Sequence, residues 1–241
     1  MMIINKIYMI NLKRKKEIAD NSLQKLKELT TNNNIFSNIK IFDAIDGQLL
    51  NENDVNNKLT LKAKYTLKEP SSYDDIRSYG EIGCYLSHTE IWKEILKNNY
   101  KNCIIFEDDV IPNINYETII KYLENIPDDY DIAYLGWWSR KNINLNKRNE
   151  YWSYSNDMEN ILGLYSYIIS NKGVKKLLSK TFPIDVQLDT FVSLYNNINN
   201  NDFKRYLSNN QLFVADKTVL GDGNTHSVCN KCRFFEFMNK N

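Results

Sequence analysis

The run Asn102-Cys-Ile-Ile-Phe-Glu-Asp-Asp-Val-Ile-Pro112 constrains this chain more than any other. Cys103 to Phe106 is a short apolar stretch, which reads as a buried strand. It ends in consecutive carboxylates: Glu107, Asp108 and Asp109. Adjacent like charges repel, so a fold that keeps them together needs something positive among them. In an α/β protein, ligands bind outside the carboxyl ends of strands, where these carboxylates would lie. Carboxylate oxygens are hard ligands that suit Mg²⁺ or Mn²⁺, and those ions bridge to phosphates. The competing interpretation is a solvated acidic turn that binds nothing.

Apolar periodicity places elements around this strand. Ile3 to Ile10 and Ile39 to Phe42 read as strands, separated by a helix from Lys13 to about Asn32 with Ile18, Leu23, Leu26 and Leu29 on one face. Asn51 to Ser78 has weak periodicity and reads as a long surface connection. Helices are predicted over Gly80 to Lys97, Tyr116 to Leu123, Lys172 to Ser179 and Val186 to Tyr195. Further strands are predicted at Ile132 to Leu135, Leu162 to Ile169 and Leu212 to Ala215. Trp137 to Met158 reads as irregular, and Asn196 to Asn201 as a loop. Strands alternating with helices indicate an α/β/α sandwich. A chain of 241 residues needs only one such domain.

Tyr79-Gly-Glu-Ile-Gly-Cys-Tyr-Leu-Ser-His-Thr-Glu-Ile-Trp-Lys93, followed by the acidic strand end, resembles glycosyltransferase family 25. This family includes lipooligosaccharide β-galactosyltransferases and collagen galactosyltransferases. Ile10-Asn-Leu-Lys-Arg14, Phe42-Asp-Ala-Ile-Asp-Gly47 and Tyr130-Asp-Ile-Ala-Tyr-Leu-Gly136 match its segments in order. So do Gly163-Leu-Tyr-Ser-Tyr-Ile-Ile-Ser170 and Pro183-Ile-Asp185. The ordered set spans nearly the whole chain.

The resemblance implies a GT-A fold, a Rossmann-like sandwich with a central mixed sheet. Its donor-binding half would cover about 1–136, and its acceptor half and C-terminal segment about 137–241. It implies a metal-dependent inverting transferase that moves a hexose, galactose first, from a UDP-hexose to a glycan or hydroxylysine-type acceptor. Glu107-Asp108-Asp109 stands where the family carries its Asp-x-Asp-type motif. Asp109 is assigned to Mn²⁺ (or Mg²⁺), Glu107 to that ion or its water shell, and Asp108 to the donor's ribose or sugar. Asn11 and Leu12 after the first strand, and Asp46 and Gly47 after the second, are donor-binding candidates. Ordinary turn chemistry also explains them. His88 is a donor or supporting contact, or a hydrogen-bonded core histidine.

Leu220-Gly-Asp-Gly-Asn-Thr-His-Ser227 is the candidate for a late contribution to the site. Gly221 and Gly223 allow close approach to a diphosphate, and His226 or Asp222 is a further metal ligand. The family's Ser-Asp pair is not reproduced here. His226-x-x-Cys229-x-x-Cys232 also has metal-like spacing, but no second ligand pair accompanies it in the sequence. Asp185 is the candidate general base and Asp189, one turn later, the reserve; a helix cap is the alternative role for Asp185.

Composition limits the remaining classes. Net charge is +1, so no long-range field favours nucleic acid. No apolar run approaches the ~18 residues of a membrane span. The N-terminal stretch lacks a basic lead and a cleavage site. The chain is rich in Asn yet holds no Asn-x-Ser/Thr triplet, so it is expected to be cytoplasmic, with peripheral membrane attachment left open. Oligomeric state has no signature. Cys84 and Cys103 read as core fillers. A metal-dependent phosphohydrolase or nucleotidyltransferase, and a catalytically silent carbohydrate-binding relative, remain the other readings.

Overall fold

The computed structural model describes residues 3–30, 34–198, 203–216 and 218. The strands are β1 (Lys6–Asn11), β2 (Ile39–Asp43), β3 (Asn102–Glu107), β4 (Val110–Pro112), β5 (Ile132–Tyr134), β6 (Trp138–Ser139) and β7 (Asn146–Lys147). They continue with β8 (Trp152–Tyr154), β9 (Ile161–Leu162), β10 (Ser166–Ser170), β11 (Arg205–Ser208) and β12 (Phe213–Ala215). The helices are α1 (Lys16–Lys27), α2 (Glu52–Val55), α3 (Leu61–Thr66), α4 (Tyr79–Lys97), α5 (Tyr116–Glu124), α6 (Asn171–Leu178) and α7 (Leu188–Ile198).

Eight strands form one mixed sheet in the order β2-β1-β3-β10-β5-β11-β8-β7. β2, β1 and β3 run parallel, whereas β10 runs antiparallel to both β3 and β5. Side chains alternate across the sheet with period two. Cys103 and Ile105 of β3 face α4, α6 and α7, with Trp92, Leu177 and Val192 in the same cluster. Ile104 and Phe106 face the other way, toward α1 and α5, with Leu26 and Ile119. Helices therefore cover both faces, and the expected α/β sandwich with a mixed sheet is present. No helix among the described residues is long and apolar enough to cross a membrane.

α4 is the helix that positions the site. Ser78 caps it, its side chain accepting from the Glu81 amide at 3.2 Å. Gly47 makes its placement possible, because a Cβ there would lie 2.3 Å from the Tyr79 carbonyl oxygen. His88 and Trp92 are completely buried along the helix.

The structure departs from the sequence expectation in three places. Residues 51–78 are not a loose surface connection: they contain α2 and α3 and bury Val55, Leu59, Ala63 and Ile76. Their apolar residues are too far apart to show a period, because each short helix supplies only one or two. Residues 137–158 are not wholly irregular, since β8 extends the main sheet and buries Trp152. β11 falls in Arg205–Ser208, where charged and polar residues hide a buried strand between β5 and β8.

Candidate active site

β3 delivers the acidic run to the carboxyl edge of the sheet. The Glu107 amide donates to the Tyr165 carbonyl at 2.9 Å, which fixes the strand end. Asn11, at the end of the neighbouring β1, donates from Nδ2 to Asp108 Oδ2 at 2.7 Å. The Leu12 amide also bonds to Asp108, and Ser22 of α1 donates to its carbonyl at 2.6 Å. The carbonyl of Asp109 accepts from the Asp216 amide at 2.7 Å. Asp109 Oδ1 is buried and has no hydrogen-bond partner among the described residues.

The opposite wall comes from α7. Asp189, in its first turn, accepts from the amides of Leu164 at 3.1 Å and Gly163 at 3.3 Å. Gly163 sits at φ +113°, a conformation that favours glycine, and so turns its N–H toward this carboxylate. The Tyr165 ring lies against Gly136 and Gly163, where a Cβ at either would come within 3 Å of it. Burial raises the Tyr165 pKa, and the charges of Asp109, Asp189 and Glu107 raise it further.

Beneath the cleft, α4 brings up Cys84 and His88, one turn apart on the same face. Their Sγ and ring nitrogen lie within 4.8 Å of each other and of a Glu107 oxygen. His88 Nε2 is 3.5 Å from Glu107 Oε1, and the Cys84 thiol is 3.9 Å from the same atom. Burial lowers the His88 pKa to about 4, so the ring is neutral and the contact is not an ion pair.

Burial raises these carboxylates, and neighbouring carboxylates add to it at Glu107 and Asp109. Burial is the largest cause of the upward shift at Glu107, followed by the charges of Asp189 and Asp108. At Asp109 burial again comes first, then Glu107 and Asp108. Asp189 is raised by burial despite the Leu164 and Gly163 amides, and Asp108 is raised despite Asn11. Asp216 is the exception: its hydrogen bond from Thr218, followed by the one from Lys25 at 2.9 Å, lowers it to about 2. A divalent cation would relieve this crowding, and the orphaned Asp109 oxygen fits one.

The other sequence candidates lie as follows. Asp46 caps a turn by accepting from the Gln48 amide and pairs with Arg14 at 2.7 Å. Gly47 packs against the start of α4. His88 is completely buried, with Nε2 3.5 Å from Glu107 Oε1. Asp185 is away from the acidic cluster in its bonding: its side chain is 48% exposed, accepts from Thr60 Oγ1 at 2.6 Å and pairs with Lys62. Gly221, Asp222, Gly223 and His226 lie outside the described residues, as do Cys229 and Cys232.

Cys84, Tyr165 and Asp216 were not among the sequence candidates. Cys84 is part of the cleft floor and is only partly buried, not a core filler like Cys103. The Cys84–His88 spacing was its available signal. Asp216 directly follows a strand, as the acidic run does. Tyr165 carried no signal beyond its place between Gly163 and β10.

The model of glycosyltransferase family 25 (LPS biosynthesis protein) matches residues 4–192. Human procollagen galactosyltransferase 2 is 28% identical over 90% of the chain and 34% of its own length. Procollagen galactosyltransferase 1-A of Xenopus laevis is 31% identical over 76% of the chain and 30% of its own length. Human inactive glycosyltransferase 25 family member 3 is 27% identical over 75% of the chain and 30% of its own length. The chain thus spans about a third of the length of these curated relatives.

Proposed function

Since the chain belongs to glycosyltransferase family 25, we propose that it transfers a hexose, galactose in the first instance, from a UDP-sugar to a hydroxyl acceptor with inversion. Glu107 and Asp109 hold Mn²⁺ or Mg²⁺. The carrying observation is the mutual crowding of Glu107, Asp108, Asp109 and Asp189, with an Asp109 oxygen that has no hydrogen-bond partner among the described residues. When bound, the cation offsets charge that develops on the diphosphate leaving group.

The residues divide the remaining work. Asp108, held by Asn11 and Leu12, faces the donor's ribose or sugar. Asp189 is the base that takes the acceptor hydroxyl proton. Burial gives it the raised proton affinity that this role needs, and the Gly163 and Leu164 amides hold its carboxylate in one orientation. Asp185, joined to Thr60 and Lys62, contacts the acceptor on the side formed by residues 51–78. The relatives named procollagen galactosyltransferases support a hydroxylysine-type acceptor. The family description supports a lipopolysaccharide-type glycan equally.

Incubation of the chain with UDP-galactose or UDP-glucose, Mn²⁺ and either acceptor class tests the reading. Release of UDP together with a sugar-bearing acceptor is expected. Hexose bound without turnover would instead favour a silent relative, a reading to which the inactive human homologue gives weight.

A further inference from the structure

We propose that His88 is a positioning residue of the acidic site, held in its Nε2–H tautomer by Tyr167 and Trp92 so that it orients the Glu107 carboxylate. In its kinetic consequence the inference rests on the transferase reading above.

The argument follows protons through the core. Trp92 Nε1 can only donate, and it reaches the Tyr167 hydroxyl at 3.0 Å. The same hydroxyl lies 2.8 Å from His88 Nδ1. Trp92, Tyr167 and His88 are all completely buried. If Nδ1 carried the imidazole proton, the Tyr167 oxygen would receive two donors. Its own proton would then be buried with no acceptor in this network, which is costly. Tyr167 therefore donates to Nδ1, and Nδ1 carries no proton. With Nδ1 bare, the imidazole carries its one proton on Nε2.

Nε2 is buried and has no hydrogen-bond partner within ordinary geometry among the described residues. It faces Glu107 Oε1 at 3.5 Å, slightly beyond an ordinary bond. The Cys84 thiol approaches the same oxygen. Both donors thus fall on Oε1, which leaves Oε2 as the oxygen to meet a cation or ligand in the cleft. Partners behind a metal-binding side chain fix its orientation in this way. The chain from Trp92 through Tyr167 and His88 links the rigid core to one carboxylate.

The rival arrangement uses the opposite tautomer. A bare Nε2, the Cys84 sulfur and Glu107 would then form a site for a borderline cation such as Zn²⁺. It leaves the Tyr167 proton stranded, so the hydrogen-bond network disfavours it.

The chain contains two histidines, so nitrogen NMR of ¹⁵N-imidazole-labelled protein resolves the question, with His226→Ala identifying the other ring. At neutral pH, His88 should show an unprotonated Nδ1 and a protonated Nε2. Added Zn²⁺ should leave both signals in place. An Nδ1–H tautomer, a doubly protonated ring, or loss of the Nε2 proton on adding Zn²⁺ would overturn the proposal.

Calorimetry supplies the second arm. His88→Asn places no donor at the Nε2 position and should weaken Mn²⁺ binding by about tenfold, whereas His88→Gln restores a donor there and should recover most of the loss. Tyr167→Phe, which keeps the ring, should weaken binding less than His88→Asn and mix the tautomers. Wild-type Mn²⁺ affinity in His88→Asn would overturn the positioning role, as would a wild-type chain that binds no Mn²⁺. A wild-type chain that binds Mn²⁺ but transfers no hexose would overturn the transferase reading alone.

Discussion

The Asp216 amide donates to the Asp109 carbonyl at 2.7 Å, joining the end of the last described strand to the tip of the acidic run. Asp109 is thereby held from two sides of the chain, by β3 before it and by the β4–β12 pair after it. Its Oδ1 is buried and has no hydrogen-bond partner among the described residues. Replacing one carboxylate oxygen by an amide should therefore change binding and spare the fold. Asp109→Asn is expected to keep the wild-type fold, seen by circular dichroism, and lose at least tenfold in UDP affinity with Mn²⁺, about 1.4 kcal/mol. Titration calorimetry of the two proteins checks this, and equal affinities would remove Asp109 from the cation's ligands.

The two candidate acids of the acceptor side should separate kinetically. Asp189→Asn is expected to lower kcat by about 10²–10⁴ while donor binding survives, because proton transfer matters only in the transition state. Asp185→Asn should raise the acceptor KM and leave kcat near wild type. The measurement is transfer rate at saturating donor and acceptor, beside a UDP-binding isotherm for each variant. The opposite pattern would return the base role to Asp185.

The pH dependence has a definite sign. Glu107 is raised to about 8 and Asp109 to about 7, from an unfolded range near about 4. A carboxylate raised on folding contributes stability that is present below its unfolded pKa. That stability is lost as pH rises through the folded pKa. The metal-free protein should therefore melt at progressively lower temperature from about pH 4 to about pH 8 and level off above that. A cation must displace the same protons, so its affinity should rise over this window and level off above it. Melting curves with and without saturating Mn²⁺ test both halves; a Mn²⁺ stabilisation that is the same at the two pH values would contradict the assignment.

Gly47 offers a test of packing alone. A methyl group there would sit 2.3 Å from the Tyr79 carbonyl and 2.5 Å from Gly80, both backbone. Neither can yield without moving the start of α4. Gly47→Ala should cost about 1–3 kcal/mol. For a chain of this size that is a fall of roughly 2–12 °C in melting temperature, readable by circular dichroism.

Much of this arrangement was legible in the sequence. β1, β2, β3, α4 and α5 stand out because each has an unbroken apolar pattern of the right period. The acidic run was legible because like charges at a strand end demand compensation. The partnership of Asn11 and Leu12 with Asp108 follows from parallel neighbours ending at one sheet edge. β8 and β11 were not legible: each is short, and Ser153, Arg205 and Ser208 are buried through tertiary contacts that no local pattern signals. Asp185 and Asp189 look equivalent on paper, one helical turn apart. Only the fold shows that one bonds to Gly163 and Leu164 and the other to Thr60. The tautomer of His88 was also hidden, because it depends on Tyr167, 79 residues away in sequence.

Residues 51–78 and the approach to α7 are joined by hydrogen bonds at several points. The Thr60 amide donates to the Ile184 carbonyl at 2.9 Å and the Ile184 amide to Lys58 at 2.7 Å, while the Gln187 amide donates to Asp74 at 3.0 Å. Arg140 ties Asp74 to Thr190 as well. Glu107 at the end of β3, and Asp108 and Asp109 in the turn after it, make none of these bonds. With Val55, Leu59, Ala63 and Ile76 also buried in the core, a change of length between Asn51 and Ser78 would be transmitted to the start of α7, the turn that carries Asp189.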